Sequence, residues 1–321
     1  KNELGDDYGM KAIAHAKYEW YEQAAALANY AKGKTVAELK QGAVNEAGKA
    51  ADADLASTAT IYLGGYVAAI EKAVANAQHL GAQAGNELKL AVINSVGSSA
   101  SATAEKAGTA QLDCDVVALT QKDGKITSCA IDSLQAKVSF DTTGTISTDL
   151  TAAVATKNEL GDSYGMVAWG GAKYEWYQQA AALADYAEGK NLTQLKDGAI
   201  DETGYAPDGS DLASSASIYL GGYVAAIEVA VNNAKHLGAS ADDSLKLVTL
   251  NKVSASVAAT ADKEGTAQLD ADIAVVTEKE GTITSCIIDS VQAKVNFNAT
   301  GAITTDLSAS ILTKNELGEN Y

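Results

Sequence analysis

Two stretches hold hydroxyl side chains on a background of small residues. Asp54-Leu-Ala-Ser57-Thr58-Ala59-Thr60 returns later as Asp211-Leu-Ala-Ser214-Ser215-Ala216-Ser217, each ahead of a long Ala-rich apolar run. On local grounds Ser57 and Ser214 read as helix N-caps, because a serine oxygen accepts first-turn amide protons. Paired carboxylates form a second candidate. A hairpin register set by Asp123-Gly124 places Asp115 opposite Asp132, and the same count places Asp272 opposite Asp289. Facing like charges are unfavourable, so the pattern calls for a cation or a helix N-terminus, unless the carboxylates splay into solvent or the register differs. His79 and His236 read as caps at a helix C-terminus, where the dipole favours a cation, while His15 aligns with Gly171 and so belongs to no shared function. Cys129 and Cys286, placed on an apolar face with Val116 and Ile131, read as small core residues, and Cys114 falls too far along the strand for a disulfide. Tyr18, Trp20 and Tyr21, with Tyr174, Trp176 and Tyr177, read as a core stripe. No Ser-His-Asp set, phosphate-cradling glycine loop or metal-ligand cluster appears in both copies, which leaves hydrolase and transferase chemistry unsupported.

The elements that must position these residues come from a duplication. Lys-Asn-Glu-Leu-Gly opens the chain and recurs at 157–161 and 314–318. A spacing of about 157 residues far exceeds the 20–50 of solenoid units, so whole domains are repeated, as 1–156 and 157–313. Within one period, Trp20, Ala24, Leu27 and Ala31 share a helical stripe that predicts a helix over 17–31, stopped by Lys32-Gly33. Val67, Ile70, Val74 and Ala77 predict a second helix over 64–79. Segments 110–121 and 125–140 are rich in Val, Ile, Thr and Ser and predict a hairpin through Asp123-Gly124, followed by a short strand at Thr145–Thr148. Each period thus reads as a helical half followed by a β half, an α+β pattern.

Composition bounds the function. With 321 residues and 47% apolar content the chain can bury a substantial core. Its 24 basic and 41 acidic residues give a net charge of −17, which repels nucleic acid and anionic lipid. Three cysteines without CxxC or zinc spacing make neither a disulfide framework nor a thiol redox site. The most apolar run, 212–231, carries Ser214, Ser215, Ser217 and Glu228 and does not read as a membrane span. With no initiator Met or signal peptide in it, the sequence reads as processed or excised from something longer.

The hydroxyl stretches resemble the D-x-x-S/T-G-A-T/S motif of the FMN-binding domain family, found in the C subunit of sodium-pumping NADH:quinone reductase, in RnfG-type subunits and in extracellular flavoproteins. In that family a flavin transferase attaches FMN by a phosphoester to the last hydroxyl. The resemblance therefore implies Thr60 and Ser217 as FMN acceptors, with Asp54, Ser57, Asp211 and Ser214 as the rest of the cofactor site. Small neighbours would let the transferase and the isoalloxazine approach, and the aspartate would organise the loop. The "DGKITSCAID" stretch also resembles the family's hairpin, which precedes the motif within a domain. The sequence departs from the pattern at Thr58 and Ser215, where the family has glycine, and Tyr62-Leu63 and Tyr219-Leu220 replace the polar residues after the acceptor. A rival reading has Tyr62 and Tyr219 filling space once held by a flavin.

The resemblance implies two tandem FMN-binding-type domains, each a small antiparallel sheet packed with helices: a complete domain at 85–238, a motif half at 1–82, and a β half at 240–321 that completes it within the chain or in a neighbouring subunit. Function then divides into two expectations. One is an extracytoplasmic flavin protein without turnover of its own, carrying electrons between redox partners. The other is a cell-surface or filament subunit that keeps the fold without the flavin and assembles head-to-tail. Neither expects nucleic-acid binding or direct membrane insertion.

Overall fold

The computed structural model describes residues 10–11, 15–75, 78–82, 86–232 and 243–317. It is mixed α/β, with two antiparallel sheets. Helices α1 (Trp20–Ala31), α2 (Val36–Ala43), α3 (Ala53–Thr58) and α4 (Gly64–Ala75) lead to strand β1 (Gln78–Ala82). Strands β2 (Glu87–Ser95), β3 (Gly108–Lys122) and β4 (Lys125–Phe140) form the first sheet, in that order. A one-turn helix α5 (Lys157–Leu160) precedes α6 (Trp176–Ala187), α7 (Leu192–Ala199) and α8 (Gly221–Asn232). Strands β5 (Asp243–Lys252), β6 (Gly265–Lys279) and β7 (Thr282–Phe297) make the second sheet, with β1 on its β5 edge, and α9 (Lys314–Leu317) follows.

Helix starts follow local chemistry. Glu19 and Glu22 form a capping box at the head of α1, so the helix begins three residues later than its apolar stripe alone predicts. Its end is set by Gly33, whose φ of +74° suits a residue without Cβ. Both hairpins turn on two residues with positive φ, Asp123-Gly124 and Glu280-Gly281, the backbone a type I′ turn needs. Three further expectations are corrected. Helix α4 ends at Ala75 rather than at 79. His79 therefore lies in strand β1, and His236 falls outside the described residues. The C-terminal carbonyls are met instead by lysines from strands: Lys246 Nζ donates to Val74 O at 3.0 Å and Lys89 Nζ to Val231 O at 2.6 Å. The segment 145–148 makes only an isolated bridge, between Phe140 and Ile146.

Three cores order the layers. The inner faces of the two sheets pack on each other through Leu90, Leu112 and Val138 from the first and Leu269, Val291 and Val295 from the second. Phe140 and Phe297, the last residues of β4 and β7, stack within it, with ring centroids 4.0 Å apart and planes within 3°. The outer face of the first sheet packs on α6, α7 and α8, where Cys129 and Ile131 meet Leu183, Tyr223 and Ile227. The outer face of the second packs on α1, α2 and α4, where Cys286 and Ile288 meet Leu27, Tyr66 and Ile70. The chain thus forms helices, sheet, sheet, helices in four layers. The helices of residues 15–75 cover the sheet made by residues 243–297, far away in sequence.

Candidate functional site

The hydroxyl cluster lies at the end of α3. Asp52, not Ser57, is the N-cap, accepting from Leu55 N at 3.0 Å, and in the second copy Ser210 accepts from Ala213 N at 3.1 Å. Ser57 lies five residues after Asp52 and Ser214 four after Ser210, too late to cap. Each turns its hydroxyl back to a main-chain carbonyl, Ser57 to Asp54 O and Ser214 to Asp211 O, both at 2.7 Å. The aspartate thus ties the loop through its backbone, and both Asp54 and Asp211 are exposed. Thr58 also bonds back, to Leu55 O at 3.0 Å, as Ser215 does to Leu212 O at 3.2 Å.

Thr60 and Ser217 are exposed, yet both are held by a residue that motif reading missed. Gln23 on α1 is 1% exposed, and its Oε1 accepts from Thr60 N at 2.6 Å, Thr60 Oγ1 at 3.1 Å and Ile61 N at 3.1 Å. Gln179 on α6 does the same for Ser217 N, Ser217 Oγ and Ile218 N at 2.7, 3.2 and 3.1 Å. Each amide nitrogen donates in turn to a tyrosine carbonyl, Tyr18 O or Tyr174 O, at 2.8 Å. Both glutamines stand in the duplicated aromatic helix start, but nothing local ties Gln23 to a loop 37 residues away, or Gln179 to its own. Lys49 Nζ reaches Thr60 O at 2.9 Å, and Lys173 Nζ reaches Ser214 O at 3.3 Å, which puts an ammonium beside each cluster in an otherwise acidic protein.

Tyr62 and Tyr219 are 59% and 55% exposed and fill no buried space. Each ring lies against two glycines, Gly48 and Gly64 or Gly204 and Gly221, where an added Cβ would come within 2.1–2.6 Å of the ring or its hydroxyl.

The carboxylate pairs are separated by a bulge. The register shifts at Thr120/Gln121 and at Thr277/Glu278, so Asp115 faces Ser133, Asp132 faces Val116, Asp272 faces Ser290 and Asp289 faces Ile273. A one-residue slip moves side chains to the other face, which is also why Cys129 and Val116 belong to different cores. Asp132 and Asp289 each meet a helix N-terminus instead of a carboxylate. Asp132 Oδ1 accepts from Asn158 N at 3.2 Å in α5, and Asp289 Oδ1 from Asn315 N at 3.0 Å in α9. Burial pushes Asp132 up to about 6 and Asp289 up to about 7, with the neighbouring hydroxyl and amide bonds opposing. Their former partners lie on the helix side. Ser290 Oγ donates to Asp272 Oδ1 at 3.0 Å and also bonds Tyr66, whose hydroxyl accepts from Trp20 Nε1 at 3.1 Å. Asp115, Ser133, Tyr223 and Trp176 repeat this chain. Burial raises both Asp115 and Asp272, and Lys157 and Lys314, lying 5.1 and 5.2 Å from the Trp176 and Trp20 rings, oppose the shift.

The three cysteines are free and buried, and burial pushes the Cys286 thiol up to about 12, so none is poised as a nucleophile. Among the described residues no group of three or more His, Cys, Asp or Glu side chains could hold a metal, and no helix is long and apolar enough to cross a membrane. A cleft of about 770 Å³ opens between β4, residues 153–159, α6 and β5, and none of the six motif residues lines it. No family model, curated protein or solved structure matches the chain.

Proposed function

We propose that the protein is an extracytoplasmic, non-catalytic flavin-domain protein of the FMN-binding type, carrying FMN as a phosphoester on Thr60 and Ser217 and exchanging electrons with partner proteins. One observation carries the reading. In both copies the last hydroxyl of the cluster is exposed to an incoming transferase while a buried glutamine, Gln23 or Gln179, fixes its position. The nearby Lys49 and Lys173 suit a phosphate. Bound FMN would supply the electron chemistry, and the chain would supply attachment, orientation and electrostatics. On this reading residues 85–238 are one FMN-binding-type domain, and residues 1–82 with 240–321 are the second.

The test is the mass of peptides containing Thr60 or Ser217 from protein made alongside its flavin transferase. An FMN increment on both, lost from the corresponding peptide in Thr60→Ala and Ser217→Ala, is the expected result. Unmodified, colourless protein would sink the proposal. Such a result would favour a second reading, a structural surface subunit without flavin, whose motivating features are the hydroxyls at Thr58 and Ser215 and the exposed rings of Tyr62 and Tyr219.

A further inference from the structure

The two outer cores have the same chemistry but differ in connection. In one, residues 141–175 run directly from β4 to α6. In the other, α1–α4 cover β5–β7 from far away in sequence, and β1, the next element after α4, pairs with the β5 edge of that sheet. The main-chain ties beside the hairpin turns nevertheless match. Gly33 N donates to Ile283 O at 2.7 Å and Ile283 N to Lys34 O at 3.0 Å, as Gly189 N does to Ile126 O at 2.8 Å and Ile126 N to Lys190 O at 2.9 Å. Lys246 caps α4 as Lys89 caps α8. The helical half and the sheet face of one copy therefore fit those of any other copy as well as each other.

We propose that the protein self-associates by exchange of residues 15–75 together with β1 between copies, the helices of one chain covering β5–β7 of another and its β1 pairing with that chain's β5. The contacts are those of the closed chain, so closure and exchange differ in chain entropy and concentration rather than in contact chemistry. A tethered half has an effective concentration on the order of mM, and exchange competes as protein concentration approaches it. The inference does not depend on flavin.

Thr35 and Thr282 form a β-bridge across this boundary, close enough in backbone for a disulfide. Full-length Thr35→Cys and Thr282→Cys proteins would be unfolded together, refolded under reducing conditions near mM concentration and then oxidised. The expected product is a disulfide-linked dimer joining residues 35 and 282 of different copies. A hundredfold dilution during refolding should lower its ratio to monomer about a hundredfold. Each variant refolded alone controls for random pairing. Sedimentation of the unsubstituted protein refolded over the same concentration range covers the case in which a variant fails to fold. Monomer alone at every concentration would overturn the proposal, as would dimers lacking the 35–282 bond.

Discussion

The unit built from β2–β4 with α6–α8 and the unit built from β5–β7 with α1–α4 can be compared side chain by side chain. The indole-to-phenol bond is 3.2 Å in the first and 3.1 Å in the second, and the ring centroids are 5.8 and 5.7 Å apart. The glutamine that holds the hydroxyl loop makes the same bonds in each. Yet one unit is continuous in sequence and the other is assembled from its two ends. Side-chain complementarity, not chain order, sets the local geometry. Chain order is left to govern how readily a unit opens.

The comparison breaks most visibly at the boundary between the units. Phe140→Ala should cost about 3–5 kcal/mol in denaturant unfolding, and Phe297→Ala the same, because each ring is fully buried. The double variant should lose less than the sum, since each substitution already removes the other's partner; additive losses would mean that the stack does not couple the units. Inside the units, Leu27→Ala and Leu183→Ala should each cost about 2–5 kcal/mol and agree within about 1 kcal/mol. A much larger loss for Leu27→Ala would show that connection, not packing, dominates. Gln23→Leu and Gln179→Leu each strip the acceptor from two loop amides, so about 1–3 kcal/mol is expected, with faster protease cleavage near residues 60 and 217 respectively.

The smallest effect separates Asp289 from Asp132. Both folded values, about 7 and about 6, lie above the ordinary Asp value near 3.9, so their contribution to stability is full below about pH 4 and is lost as pH rises through 6–7. Asp289→Asn should therefore flatten the fall in melting temperature between pH 5 and pH 8 more than Asp132→Asn does. One pKa unit between them corresponds to about 1.4 kcal/mol. Equal flattening would remove the difference between the two sites.

Helices with a wide apolar stripe and hairpins with a two-residue turn were legible in the sequence, because period and turn chemistry are local. The bulge was not. One extra residue near Thr127 leaves the β pattern of the strand intact while reversing which faces Asp132 and Cys129 occupy. Short helices α2 and α3 were also missed, because eight and six residues offer too few turns for a period to show. At the candidate site the hydroxyls were visible as a motif. Their positioning glutamines were not, since a buried amide 37 residues from its partner leaves no local pattern. The helix C-caps failed for the same reason: Lys246 reaches Val74 from 172 residues away.

The stacked phenylalanines carry a genetic consequence. Duplication ordinarily leaves one copy of a residue free to drift while the other keeps the task. Phe140 and Phe297 sit where the two copies meet, each the other's neighbour at 4.0 Å, and their flanking turns interlock reciprocally: Ala259 N donates to Gly144 O at 2.9 Å and Ala102 N to Gly301 O at 2.8 Å. Redundancy vanishes there. A gene that relaxed one of the two aromatics would weaken both repeats in a single step.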